Sequence, residues 1–428
     1  MRVLVVGKGG REAALVWKLS KSDRVTELFC APGNPGTSRF AENVGIDDFD
    51  IDGLLGFAIE REIDLVVVGP EKPLSMGIVD IFREKGVTIF GPNAACARLE
   101  TSKVFAKNFM KRHKIPTANY RVERYYLQAL ADLEDFDFPL VIKADGLAAG
   151  KGVFILDNVE ETRLLLGELL LNHSLGEAGS RIVLEEFLIG SELSLFVLAD
   201  GSNYVELGEA RDFKKALDGN FGQNTGGMGA ISPVPDYSEE IREEFRERIL
   251  KPTMEGLISD GLKYTGLLYF GLILTANGLR VLEFNCRFGD PETQAILPRI
   301  EFDLAKVLYQ CATGSLGIDK LHLSEETSVA VVAASQGYPG EFDTCHAISG
   351  LDTVDDNLVF QAGTTFRDSR IVTSGGRVLT VTALDKSPKI AREKAYSTLS
   401  RIFYKGITYR TDIGAEFDVN LNLAEREV

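Results

Sequence analysis

An α/β fold that opens on a doubly wound parallel sheet is predicted by three features of this 428-residue chain. Short apolar runs at 3–6, 65–68 and 87–90 alternate with helical stretches, the pattern of strands covered on both faces. Each run ends in a loop rich in glycine or proline: Gly7-Lys8-Gly9-Gly10, Gly69-Pro70-Glu71 and Gly91-Pro92-Asn93. In open sheets of this kind ligands bind beyond the carboxyl ends of the strands, where these loops lie. Further on, strand-like runs recur without intervening helices, so a second architecture follows the first.

Taken in order, a helix is expected near 11–20, and the run 28–30 leads into Ala-Pro-Gly-Asn-Pro-Gly at 31–36, a loop dense in turn formers. The pattern predicts a helix over 102–113 that stops before Ile115-Pro116, because the residue before proline avoids the helical region. Strands are expected near 139–143, 152–156 and 181–186, then one helix over 239–260. Asn277-Gly278 reads as the central pair of a type I′ hairpin turn joining 267–274 to 279–284. A fresh strand begins at 327–335, and a helix is expected at about 388–404. The resulting division is 1–103, 104–325 and 326–428, matching the length prior of about three domains.

Hydrophobic residues make up 45% and charged residues 26%, so each domain can bury a core. The formal net charge of -16 disfavours nucleic acid and anionic membranes as partners. Phosphates must then be held by local devices: helix starts, a few placed cations, bound metal. The five cysteines (Cys30, Cys96, Cys286, Cys311, Cys345) are scattered without CxxC, and no HExxH occurs, which argues against a disulfide framework and structural zinc. No run of 18 apolar residues exists and the chain begins on a strand-like run, so a cytoplasmic location is expected.

Five segments carry candidate chemistry. Glu283, Asn285 and Arg287 fall on one face by the period-two rule, a seat for Mg²⁺ and a transferring phosphate or else a solvated strand face. Gly7-Lys8-Gly9-Gly10-Arg11-Glu12 suits a phosphate at a helix start, although Glu12 replaces the third glycine of the GxGxxG fingerprint; a bare tight turn is the alternative. Lys143 to Val153, with Gly146, Gly150, Lys151 and Gly152, reads as a mobile flap over a triphosphate or as a plain glycine-rich hairpin. Backbone groups of Glu186 to Leu188 could bond a purine edge and Glu192 ribose hydroxyls, or these acidic groups are simply solvated. Asn224-Thr-Gly-Gly-Met-Gly229, near Lys214 and Lys215, reads as an anion nest in preference to a flexible connection. No nucleophile signature accompanies them. The inventory of lysines, an arginine, a metal seat and glycine loops is that of phosphoryl transfer.

Together these segments resemble the phosphoribosylamine–glycine ligase family of the ATP-grasp superfamily over essentially the whole chain. The resemblance is carried by GKGGRE (7–12), APGNPGT (31–37), VVGPEKPL (67–74), LETSK (99–103), KIPTA (114–118), VIKADGLAAGKGV (141–153), VLEEFLIGSE (183–192), NTGGMGA (224–230), YTGLLYFGL (264–272), EFNCRFGDPE (283–292) and GGRVLTVTAL (375–384). It implies a central ATP-grasp domain with a mobile lid at about 121–190 and a small C-terminal α/β domain. It also implies ligation of glycine to 5-phosphoribosylamine through glycyl phosphate in purine biosynthesis, with ATP as co-substrate, Mg²⁺ or Mn²⁺ as metal, and a monomer.

By motif position the resemblance assigns Lys103, Lys143 and Lys151 to the ATP phosphates. Glu185, Glu186, Leu188 and Glu192 take the adenine and ribose, and Glu283 and Asn285 the metal. Gly9, Gly10, Arg11, Gly33 and Asn34 take phosphoribosylamine, and Asp212, Arg287 and Asp290 surround glycine and the acyl phosphate. Four positions depart from the family pattern: Ala13, Phe213 and Gln361 stand where histidine is usual, and Lys8 stands where asparagine is usual. An obligatory general-base role for those histidines is not expected. Other readings are a related carboxylate–amine ligase, an NAD-binding dehydrogenase built on the first loop, or an inactive nucleotide-binding module.

Overall fold

A computed structural model describes residues 1–146, 152–318, 320–354 and 358–417. The first sheet is parallel throughout, in the order Glu42–Asn43, Glu27–Pro32, Arg2–Gly7, Leu65–Val68, Ile89–Phe90. Alternation along its central strand feeds two cores. Val3 and Val5 pack with Ala14 and Val16 of the helix Gly10–Leu19, while Leu4 and Val6 pack with Leu54, Ile78 and Phe82. The first of these cores also takes in Phe196, Leu198 and Leu267 from later strands, so this sheet is cemented to the middle of the chain.

A four-stranded antiparallel layer follows, ordered Tyr120–Glu123, Ile182–Glu186, Leu140–Ala144, Val153–Leu156. Helices Tyr126–Asp132 and Val159–Leu170 cover it, and Leu140, Ile142, Leu166, Leu169 and Leu184 form its own small core. The tip of its hairpin, residues 147–151 with the candidate Lys151, lies outside the described residues.

The third sheet has nine described strands and is antiparallel. Gly278–Asn285, Thr265–Thr275, Ser191–Asp200, Tyr204–Asp212, Gly229–Ser232, Thr327–Ser335, Arg377–Asp385 and Val359–Gln361 follow one another, and Ile407–Thr408 pairs with Thr327–Ser335. Because Gly229–Ser232 pairs with Thr327–Ser335, the sheet runs unbroken across residue 325.

Three local expectations are corrected. The hairpin turn is Ala276-Asn277, with Thr275 opposite Gly278, and left-handed φ falls on Gly278 alone rather than on an Asn277-Gly278 pair. The Thr275 hydroxyl decides this by accepting from the Asn277 amide and donating to the Gly278 carbonyl. The helical run at 239–260 divides into Glu239–Phe245, a π turn Arg246–Leu250, and Lys251–Ser259, the widening falling just before Pro252, which has no amide hydrogen to give. The last long helix, Pro388–Leu399, stops five residues early. Ile402 and Tyr404 are drawn into the C-terminal core instead, and the Tyr404 hydroxyl reaches the Ala334 carbonyl at 2.9 Å.

Candidate active site

The three sheets converge on a cavity of about 230 Å³ lined by Lys103, Asp212, Lys214, Glu283, Asn285, Arg287, Asp290 and Glu292, with Gly146, Gly152 and Val153 from the four-stranded layer. Glu283 and Asn285 end the strand Gly278–Asn285 on one face, as its alternation requires. Gly271, opposite Glu283, leaves room for that side chain: a Cβ there would lie 3.2 Å from Glu283 Cγ. Lys103 is the first residue of the helix Lys103–Arg112, whose start is fixed by the Ser102 hydroxyl accepting from the Phe105 amide at 3.1 Å. Asp145 steadies the same turn, accepting from Ser102 Oγ at 2.9 Å and the Val104 amide at 3.0 Å.

Lys103 Nζ meets Glu283 Oε2 at 3.1 Å. Burial works against this carboxylate, but Lys103, Lys214 and Lys143 together hold it well below the usual carboxylate range. Lys143 sits deeper, donating to the Leu282 carbonyl at 3.0 Å and pairing with Glu185 Oε2 at 3.0 Å. Lys214 pairs with Glu192. Asp212 is pushed up to about 7, first by burial and then by Glu292 and Glu192, against the opposing pull of Lys214.

Arg287 lies past the strand end and turns toward the first hundred residues. Its Nη2 meets Glu100 at 3.0 Å, its Nε lies 3.3 Å from Glu71, and its Nη1 donates to the Phe288 carbonyl at 3.1 Å. Arg287 therefore shares no more than a long 3.4 Å contact with Asn285. Asp290 accepts from Gln294 Nε2 at 2.8 Å and faces Arg377, whose Nη1 also donates to the carbonyls of Gly226 and Asp290, each at 2.6 Å. A Cβ on Gly9 would lie 3.5 Å from Asp290 Oδ2, so the first loop abuts the cavity through this carboxylate.

That loop is not a dinucleotide cradle. Glu12 caps its own helix by accepting from the Gly9 amide at 2.6 Å and is bridged by Arg11 at 2.5 Å. Its carboxylate fills the space under the loop, where a Cβ on Gly69 would meet Glu12 Oε1 at 2.0 Å. The amide that a pyrophosphate would need is already spent. Gly10 packs on Gln294, and Arg11 Nη1 donates to the Phe288 carbonyl at 3.1 Å. Gly33, at φ +70°, turns the chain into Asn34. The Asn34 side chain is fully engaged: it donates to the Lys8 and Gln361 carbonyls at 2.8 and 2.9 Å and accepts from the Gly36 and Thr37 amides.

The loop 224–229 is not an open anion nest either. The Thr225 and Met228 amides bond the Lys214 and Phe213 carbonyls, the Gly226 amide bonds the Tyr338 hydroxyl, and the Gly227 amide bonds Thr225 Oγ1. In the four-stranded layer the Glu186 carboxylate accepts from the Asn119 amide and side chain, at 2.9 and 3.0 Å, and Leu188 follows in the connecting loop. Glu185 is buried with Oε1 free of any hydrogen-bond partner among the described residues.

None of the three positions lacking histidine points into the cavity. Ala13 is packed in the core beneath the first helix. Phe213 lies in the C-terminal core with the Arg410 guanidinium 5.3 Å from its ring centroid. Gln361 accepts from Thr364 Oγ1 at 3.0 Å. The residues that spacing did not single out are Glu71, Glu100, Lys107, Tyr269, Glu292 and Arg377. All but Lys107 fall inside the motifs that carry the family resemblance, and Glu71 also stands directly after a Gly-Pro at a strand end.

Residues 1–100 match the phosphoribosylglycinamide synthetase N domain, 101–293 its ATP-grasp (A) domain and 328–416 its C domain. The chain belongs to this family. It is 46% identical to the phosphoribosylamine–glycine ligase of Caldanaerobacter subterraneus subsp. tengcongensis, over 97% of this chain and 100% of that one. The crystal structure of phosphoribosylamine–glycine ligase from Thermotoga maritima shares 34% identity and superposes with a TM-score of 0.83, covering 96% of this chain and 100% of the other. The biotin carboxylase domain of the Hydrogenobacter thermophilus 2-oxoglutarate carboxylase, solved with MgADP, has a TM-score of 0.73 over 95% of this chain and 91% of that one; at 18% identity it shows a shared fold alone. No described helix is long and apolar enough to cross a membrane.

Two outcomes follow for this site. Phe213→His places an imidazole beside Arg410 in an apolar core, and urea unfolding should show a loss of about 2 kcal/mol with no gain in turnover; a large gain would return histidine to the mechanism. For Asp212, a folded pKa raised above its unfolded value means the folded state holds the extra proton between about pH 4 and 7. Its contribution to stability therefore falls as pH rises through that window. Unfolding midpoints at pH 5 and pH 8 should lie closer together in Asp212→Asn than in the natural protein, and an unchanged difference would refute the shift.

Proposed function

We propose that this chain joins glycine to 5-phosphoribosylamine at the expense of ATP, passing through glycyl phosphate and giving glycinamide ribonucleotide, ADP and phosphate. The observation that carries the reading is the convergence of Lys103, Glu283, Asn285, Asp212 and Asp290 on one cavity, in a chain of this family. A carboxylate is a poor acyl donor because oxide is a poor leaving group, and phosphorylation supplies a better one. The work left to the protein is placement and charge neutralisation.

Lys103 and Lys143 bind the phosphates. Each is already charged and held by a carboxylate, so nucleotide entry is an exchange of partners rather than the burial of new charge. Glu283 and Asn285 would hold the divalent cation, Mg²⁺ or Mn²⁺. They fit it as two hard oxygen donors at adjacent same-face positions. No group of three His, Cys, Asp or Glu residues suited to a metal occurs among the described residues, so phosphate and water would complete the shell. Bound there, the cation screens the phosphate charge.

The purine lies against the strand Ile182–Glu186, where the unpartnered Glu185 Oε1 is an acceptor suited to an exocyclic amino group. Lys151, Leu188 and Glu192 complete this nucleotide side. Gly9, Gly10, Arg11, Gly33 and Asn34 shape the phosphoribosylamine side, Asn34 by fixing the loop rather than by touching ligand. Asp290 stands between the two sides. It lies against Gly9 and lines the cavity, placed to orient the attacking amine. Arg287 holds the strand end in register with Glu71 and Glu100, its charge largely offset before any phosphate arrives. The reading includes a monomer acting in the cytoplasm.

ADP release from Mg-ATP tests the reading, with glycine and freshly generated phosphoribosylamine added singly and together. Release that needs both, with glycinamide ribonucleotide as product, is expected. Release with glycine that ignores phosphoribosylamine would replace the amine acceptor, and no release under any combination would refute the ligase.

A further inference from the structure

Lys107 lies outside the cavity lining, yet it is among the most deeply buried cations of the chain, at 2% exposure. One turn beyond Lys103 on the helix Lys103–Arg112, it points under the strand Ile182–Glu186. Its ammonium donates to Thr117 Oγ1 at 2.7 Å and meets Glu185 Oε2 at 2.9 Å. Thr117 is itself pinned, donating to the Val281 carbonyl at 2.6 Å. Lys143 reaches the same Glu185 oxygen at 3.0 Å, while Oε1 is left without a partner. Two lysines thus share one oxygen of one buried carboxylate.

The charges of this triad decide what Lys143 can do. With Lys107 present the three groups sum to one positive charge. Without it Lys143 and Glu185 would cancel, and a phosphate arriving at Lys143 would have to compete with a buried carboxylate at contact distance. Burial lowers the Lys107 ammonium, as does Lys143, while Glu185 opposes them; the balance is about 8, so the group is charged at neutral pH.

We propose that Lys107 is a positioning residue that neutralises Glu185, leaving the charge of Lys143 free for the nucleotide phosphates and Glu185 Oε1 open to the base. The inference rests on the assignment of this site to ATP.

Lys107→Met and the double variant Lys107→Met with Glu185→Gln test it, with the affinity for MgADP and the KM for ATP, glycine and phosphoribosylamine as readouts. Lys107→Met should weaken MgADP binding and raise the ATP KM about tenfold, leaving the other two KM values within about twofold. The double variant restores a net charge of one while keeping a carbonyl oxygen at 185, and should recover MgADP binding to within about threefold of the natural protein. A general packing defect would make the two substitutions add. Should Lys107→Met fail to fold, the double variant, which buries no unpaired carboxylate, carries the same expectation. Equal rises in all three KM values, an unchanged ATP KM, or a double variant weaker than the single would overturn the proposal. Absence of MgADP binding by the natural protein would overturn the ATP assignment along with it.

Discussion

Five cations gather at or beside one cavity, and each is held by a carboxylate: Lys103 by Glu283, Lys143 by Glu185, Lys214 by Glu192, Arg287 by Glu100 and Glu71, and Arg377 by Asp290. Most of these groups are largely screened from solvent. An isolated charge there would cost several kcal/mol, so a site that is to hold a triphosphate must first balance its own cations. The pairing also dictates the architecture. The carboxylates come from distant parts of the chain, Glu71 and Glu100 from the first hundred residues, Glu185 and Glu192 from the strands between, Glu283 from the strand Gly278–Asn285 and Asp290 from the turn after it. The three sheets can meet only where these partners meet.

The same constraint explains the first loop. Its glycines suggest a phosphate cradle, but Glu12 reaches back to the Gly9 amide and occupies the volume beneath Gly69. The helix start is thereby closed from below and lies against Asp290 on another side. A glycine at that position would have left the amide for a pyrophosphate; the glutamate consumes it, and the loop meets the cavity through Asp290.

Much of this was legible in the chain itself. The parallel sheet followed from apolar runs ending in Gly-Pro loops, and the pairing of Glu283 with Asn285 from the period of a strand. Lys103, Asp212 and Asp290 could be placed only by resemblance, and they line the same cavity as Glu283. What escaped notice depends on distance in sequence. Glu100 and Lys107 sit on helices, where charged residues usually face water, and their burial is created by partners nearly two hundred and about eighty residues away. Local turn chemistry misled in the opposite way. At Asn277-Gly278 the Thr275 hydroxyl shifted the turn by one residue, and in the loop 224–229 other parts of the chain consumed amides that composition alone leaves available for an anion.

The proposed route transfers a phosphoryl group to a carboxylate oxygen of glycine and then lets the amine attack the carbonyl, expelling phosphate. That sequence of bonds moves one glycine oxygen onto phosphate. Glycine labelled with ¹⁸O in both carboxylate oxygens, turned over with unlabelled Mg-ATP and phosphoribosylamine, should therefore release phosphate carrying one labelled oxygen per product formed. Phosphate released without label, while amide product accumulates, would contradict the acyl-phosphate route and with it the role given to this cavity.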